Sequence, residues 1–232
     1  MNRVAESAYY QHSKAVPFAS WLSLRVRKKM FNRFMEIFSP DAKTTVLDVG
    51  VTSDITQTES NYFEQLYPYP QQIVCVGTED GAHLMQQYPG LTYQKVEAGK
   101  PLPFKNHQFD IVFSNAVLEH TGSCEMQAKF LQEMCRVGKQ FFVTTPNRWF
   151  PVEHHTGLPF LHYLPASLFR ALTRRTSYRY WAEESNLNIL TRSDLQRILQ
   201  PPLQAQVETV RVLGIPSNLI AYGSCTGGRE GA

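Results

Sequence analysis

Polar residues collect at the ends of apolar runs in the first half of the chain, and that spacing decides what chemistry they could do. Run 45–49 closes on Asp48 and Gly50, run 73–77 on Glu79 and Asp80, run 91–96 on Glu97 and Ala98, and run 109–114 on Asn115, followed by Glu119 and His120. In an open α/β sheet ligands gather outside the carboxyl ends of the strands. Polar groups at four successive strand ends therefore define one candidate crevice. A carboxylate at the end of the second strand suits a ribose diol, because its oxygens can accept from both hydroxyls. Glu79 fills that part; its neighbour Asp80 competes for it, or caps the helix that starts near Gly81. Asp48 has two readings, a ligand contact or a cap that organises turn amides. Glu97 has two as well, a ligand contact or a solvated strand end. Asp110 opens its strand, remote from the crevice, and reads as structural.

The titratable candidates are histidines. His120 could take a proton from an acceptor hydroxyl or amine at neutral pH, or it could order its turn by hydrogen bonding. His154 and His155 lie in an aromatic segment, residues 147–163, that follows the fifth run and must emerge at the same edge of the sheet. Trp149, Phe150, Phe160 and Tyr163 are too many large rings for an idle loop. Packing by Phe150 and Phe160 would fix the segment while His154, His155 and Tyr163 face the reacting group; the other reading is a purely structural cover. Adjacent side chains diverge in extended backbone and rarely chelate one ion, so no metal is expected at His154, His155 and His162.

The elements that must position these groups follow from periodicity. Trp21, Leu24, Phe31, Phe34, Met35 and Phe38 recur at helical spacing, with Arg25, Arg27, Lys28, Lys29 and Arg33 between them, and Ser39-Pro40 ends the helix. It reads as a cover over the sheet or as a basic helix in peripheral contact with a membrane surface. Runs 45–49, 73–77, 91–96, 109–114 and 140–144 are nearly continuously apolar, as strands covered on both faces are, and the segments between them can serve as crossovers. Runs 205–213 and 218–222, joined across residues 214–217 without a helix, favour antiparallel pairing. A helix is expected over residues 167–175 and a loose glycine-rich tail over 223–232.

Composition excludes several classes. With 232 residues, 43% hydrophobic and 19% charged, the chain suits one folding unit with a single good core. A net charge of +3 is too small for a dedicated nucleic-acid binder. No run reaches the ~18 apolar residues of a membrane span, and a cytoplasmic location is expected. Cys75, Cys124, Cys135 and Cys225 lack metal or disulfide spacing and read as reduced, mostly buried thiols.

The residues Val46 to Gly50, Glu79, Glu97-Ala98 with Leu102-Pro103-Phe104, and above all the run 109–120, resemble the successive motifs of class I S-adenosylmethionine-dependent methyltransferases of the methyltransferase-11 type. The resemblance covers roughly residues 44–145. It implies an α/β, Rossmann-like, doubly wound sheet of seven strands, mostly parallel with an antiparallel C-terminal strand, and S-adenosylmethionine as cofactor. It also implies that Asp48 and Gly50 line the methionine end, Glu79 binds the ribose, Glu97 and Ala98 flank the adenine, and Asn115 to His120 cover the cofactor. The first turn departs from the family's further glycines with Thr52 and Asp54. An acid there would repel a dinucleotide pyrophosphate, which favours a phosphate-free donor over a nicotinamide cofactor. The expectation is a single methyltransferase domain over residues 1–232: a helical cover (1–43), a cofactor core (44–145), an acceptor-side insertion with helices (146–200), a strand pair (201–223) and a tail (224–232). It would methylate a small-molecule, saccharide or lipid-linked acceptor. The alternatives are an inactive binding or regulatory protein of the same fold, or a nicotinamide-dependent oxidoreductase. Oligomeric state is open.

Overall fold

A computed structural model describes residues 17–55, 60–199 and 204–225, except for the side chains of 17–20. The polar lead and the tail beyond residue 225 lie outside the described residues. Seven strands form one sheet: β1 (Val46–Val49), β2 (Ile73–Gly77), β3 (Thr92–Lys95), β4 (Phe109–Asn115), β5 (Gly138–Pro146), β6 (Gln204–Val212) and β7 (Ile215–Ser224). Their spatial order is β3-β2-β1-β4-β5-β7-β6. The first five strands run parallel, and β7 is antiparallel to both β5 and β6. The expected doubly wound, mostly parallel sheet with an antiparallel C-terminal strand is the sheet observed.

Strand parity sorts side chains to the two faces. Val46, Ile73, Cys75, Ile111, Phe113 and Phe142 pack on one face beneath α1 (Pro17–Phe38), α2 (Tyr62–Leu66) and α3 (Leu84–Gln87). Leu47, Val49, Val112, Phe141 and Val143 pack on the other beneath α4 (Cys124–Val137) and α6 (Arg192–Ile198). The short α5 (Ala166–Thr173) joins Trp181 and Leu187 in a satellite cluster. Local chemistry sets the helix starts: Ser123 accepts from the Met126 amide at α4, and Thr191 with Asp194 forms a capping box at α6.

The N-terminal helix is a cover. Val26, Met30, Phe31 and Phe34 are buried against the sheet, and Phe34 sits edge-on to Phe63, Phe113 and Phe142 at 5.1, 5.8 and 5.5 Å. Among the described residues, no helix is long and apolar enough to cross a membrane.

Three expectations change. Run 91–96 was expected to be buried on both faces, but β3 is an edge strand whose Thr92, Gln94 and Lys95 are exposed; polar side chains suit an unpaired edge. Gly223 and Ser224 belong to β7, paired with Phe141 and Gln140, rather than to a tail. The hairpin turns at Leu213-Gly214 rather than across 214–217, since Val212 pairs with Ile215. Both turn residues have positive φ, 50° and 81°, as a two-residue hairpin with strand-like twist requires. The cysteines are free, with Cys75 and Cys135 buried but Cys124 exposed.

Two stability measurements follow. Phe34→Ala empties the centre of a ring cluster and should lower unfolding free energy by ~3–5 kcal/mol in urea titration. Leu213→Asn should raise it by ~1 kcal/mol, because asparagine tolerates the left-handed backbone that leucine resists.

Candidate functional site

β1 is paired on both sides, with β2 and with β4, and the connections leave it in opposite directions, so a crevice opens above its carboxyl end. The turn there is tight: the Gly50 and Val51 amides both donate to the Val76 carbonyl, at 2.8 and 3.2 Å. Gly50 has φ of 100°, and a Cβ on it would lie 2.2 Å from Val117 Cγ2. Only glycine fits this position, which brings the β1 turn against the segment after β4. Ser114 Oγ donates to the Val49 carbonyl at 2.7 Å and Asn115 Oδ1 accepts from Thr144 Oγ1 at 2.6 Å, which locks β4 to both neighbours.

Glu79 stands at the end of β2, half-buried, and its carboxylate accepts a short hydrogen bond from Ser53 Oγ. Tyr93 Oη donates to the Glu79 carbonyl at 2.5 Å, and His83 Nε2 donates to the Ser53 carbonyl at 2.8 Å. Asp80 is exposed and accepts from the Ala82 amide, the local cap that its sequence position also allowed. Glu97 and Ala98 are exposed beyond the edge strand, with Glu97 in an ion pair with Lys100 at 2.6 Å. Asp110 accepts from the Thr45 amide and hydroxyl and from Lys139, the structural part expected of it.

Asp48 sits elsewhere than the crevice surface. Its parity on β1 turns it toward α2, where it is 5% exposed and meets Glu64, itself a hydrogen-bond acceptor from Cys75 Sγ at 3.3 Å. Burial, and then the neighbouring Glu64 charge, push the Asp48 carboxyl well above the usual carboxylate range.

A second cluster occupies the edge between β4 and β5, on the opposite face. Glu119 and His120 lie in a 3-10 turn (Leu118–His120) held by the Asn188 amide, which donates to the Glu119 carbonyl at 2.7 Å. The Glu119 side chain is fully buried; Oε2 accepts from Thr145 Oγ1 at 2.9 Å, and Oε1 lies 3.9 Å from His120 Nε2. His120 Nδ1 donates to the Asn186 carbonyl at 2.6 Å. From the segment after β5, His155 Nδ1 donates to Glu153 Oε1 at 2.6 Å, and the ring of His155 meets His120 at 4.6 Å and Trp181 at 4.8 Å. Burial pushes Glu119 up to about 6, with His155 partly offsetting it, and burial and His155 push His120 down to about 3. Burial would raise Glu153 too, but the His155 charge and hydrogen bonds from His155 and Thr156 hold it at about 2. Burial opposes the charge on His155, and Glu153 outweighs it, so its pKa is raised.

The segment 147–163 is thus split. His155 joins Glu119 and His120, whereas His154 is exposed and stacks on Phe150 at 5.5 Å. Tyr163 Oη donates to the Trp149 carbonyl. Phe160 was expected to anchor the segment by packing, but it is 59% exposed; the anchors are Phe150, which packs on the core, and His162, whose Nε2 donates to the Phe150 carbonyl at 2.7 Å. Ser53, His83, Tyr93 and Glu153 carry no motif in the sequence; only their placement reveals them.

Residues 47–141 match the family model described as a methyltransferase domain. No curated protein matches the chain. Among solved structures, the chain is similar to the YcgJ protein of Bacillus subtilis, with 14% identity, 88% of this chain and 100% of that one covered, and a TM-score of 0.56. It is also similar to a SAM-dependent methyltransferase from Aquifex aeolicus, with 14% identity, 86% and 97% coverage, and a TM-score of 0.52. The N-terminal domain of EvdMO1 with SAH bound aligns at 14% identity, 93% and 83% coverage, and a TM-score of 0.51.

The Asp48 carboxyl yields a pH-dependent prediction. The folded chain holds its proton more tightly than the unfolded chain does, so its contribution to stability is complete below the ordinary carboxylate pKa. That contribution falls away as pH rises toward and through the raised value. Asp48→Asn removes the titration while keeping a neutral donor toward Glu64. Its melting temperature should exceed the parent's by several degrees at pH 8, and the gap should close toward pH 4; a variant less stable at both pH values contradicts the assignment.

Proposed function

We propose that the chain, whose residues 47–141 match the methyltransferase-domain model and whose sheet has the Rossmann-like fold of its structural neighbours, transfers a methyl group from S-adenosylmethionine to a small-molecule, saccharide or lipid-linked acceptor. The observation that carries this reading is the crevice where Gly50, Glu79 and the 115–120 segment converge at the carboxyl ends of β1, β2 and β4. The donor set fits the cofactor: Glu79 already accepts from a hydroxyl, that of Ser53, and a ribose diol offers the same kind of donor. Gly50 and Val51 would supply backbone at the methionine end, and Asn115 to His120 would cover it. Asp48, turned toward α2, acts on this end through the turn its strand leads into. Glu97 and Ala98 would bound the adenine side.

The cofactor supplies an electrophilic methyl on a positive sulfur, so the chain's task is to orient the acceptor and exclude water. The acceptor belongs on the β4 and β5 side, where His120 and His155 are partly exposed above the buried Glu119, and Trp149, Val152 and Phe160 are exposed. An acceptor with an apolar body and one polar head matches that surface. His154 would lie at its outer margin and His155 within it.

Calorimetry tests the reading. Purified chain should bind S-adenosylhomocysteine, and Glu79→Gln should weaken binding by ~1.5–3 kcal/mol, the scale of a hydrogen bond to a charged group. Asp80→Asn should cost less. No binding of either S-adenosylmethionine or S-adenosylhomocysteine at millimolar concentration would overturn it.

A further inference from the structure

The geometry points to a mononuclear site for a divalent transition-metal ion, zinc foremost, ligated by Glu119, His120 and His155. One ligand atom from each of the three lies within 4.8 Å of the others. Nδ1 of His120 is committed to the Asn186 carbonyl and Nδ1 of His155 to the Glu153 carboxylate, so Nε2 is the ligating nitrogen of each. That pattern is what a metal-binding imidazole needs: the second nitrogen donates to a carbonyl or carboxylate, which fixes the tautomer and aims the ring. Glu119 is oriented in the same way, through the Thr145 hydroxyl on Oε2.

The independent observation is Glu119 Oε1. It is buried, on a side chain with no exposure, has no hydrogen-bond partner among the described residues, and is directed at the two imidazoles. An unsatisfied buried carboxylate oxygen is costly, and a cation bound there removes the cost. The charges also close: two buried carboxylates, Glu119 and Glu153, sum with one dication to zero. Two imidazoles and one carboxylate select a borderline-soft ion over magnesium or calcium, which take oxygen donors. Three protein ligands leave a coordination position open, in a cluster that lies close beneath the surface, the His120 and His155 side chains keeping 16% and 12% exposure. Its use is to hold an acceptor oxygen, a role that rests on the methyltransferase reading; the binding of the ion does not.

The spacing that argued against a metal is still respected, because adjacent His154 and His155 do diverge and only His155 enters the site. The test uses the full chain stripped with a chelator, then titrated with zinc in a calorimeter and with cobalt in a visible spectrometer. One ion per chain should bind, with cobalt bands stronger than those of the aqueous ion. Glu119→Gln and His155→Ala should each weaken binding about a hundredfold or more, Glu153→Gln about ten- to a hundredfold through the His155 ring, and His154→Ala should leave it unchanged. Should Glu119→Gln fail to fold by circular dichroism, His120→Gln takes its place. Absence of saturable binding, wild-type affinity in Glu119→Gln and His155→Ala together, or an equal loss in His154→Ala overturns the site. S-adenosylhomocysteine binding measured on the same samples separates the two readings, since a chain that binds metal without it keeps this inference and loses the proposed function.

Discussion

The structure depends on the contact between Gly50 and Val117. With the chain leaving β1 toward β2 and returning later as β4, the two strand ends beside the crevice come from distant parts of the sequence. The isopropyl group of Val117 occupies the space where any other residue at position 50 would place its Cβ. This single contact sets how closely the β1 turn and the segment after β4 can approach. The 3-10 turn that begins at the next residue therefore inherits its position, and Glu119 and His120 with it.

Two buried carboxylate systems flank this contact on opposite faces, and they meet the cost of desolvation differently. Under α2, burial and the neighbouring Glu64 push the Asp48 carboxyl up, and Cys75 Sγ donates to Glu64 Oε1. All three residues are buried in the core, and Glu64 Oε2 has no hydrogen-bond partner among the described residues. Between β4 and β5, Glu153 accepts from His155 and is held low against its burial, while Glu119 has one oxygen on Thr145 and one without a hydrogen-bond partner among the described residues. Both arrangements leave a carboxylate oxygen unsatisfied, but of the two it is the second that comes near the surface, through the partly exposed His120 and His155.

Strand runs bounded by polar residues made the five parallel strands legible, along with the antiparallel end of the sheet, because burial on two faces leaves a continuous apolar signature. Edge position leaves none: run 91–96 has Leu91 and Tyr93 to suggest a covered strand, and only the place of β3 beyond β2 shows why Thr92, Gln94 and Lys95 face solvent. The candidate site was legible where it lies at strand ends, as with Gly50 and Glu79. It was not legible where it is assembled by loops. Nothing in the order of residues distinguishes His154 from His155, and the difference arises when the Glu153 carboxylate takes the amide and ring of one, and Phe150 takes the ring of the other.

The same distinction explains how a turn with Thr52 and Asp54 stands where related motifs use glycines. Glycines give such a turn its shape by backbone freedom. Here side chains impose it: Asn61 accepts from the Thr52 amide at 3.1 Å and donates to the Thr52 carbonyl at 2.8 Å, and Thr52 Oγ1 accepts from the Asp54 amide at 3.2 Å. Asn61 can do both because it adopts the left-handed conformation, φ 52°, that asparagine tolerates better than most residues. Ser53 is then presented to Glu79 on one side and to His83 on the other. The loss of glycine freedom is thus offset by a polar clamp that reaches from α2, so the crevice wall and the helix covering the opposite face of β1 form one mechanical unit. A change in how α2 seats against the sheet, through Phe63 on Phe113 at 4.2 Å, is transmitted to the wall by Asn61 directly.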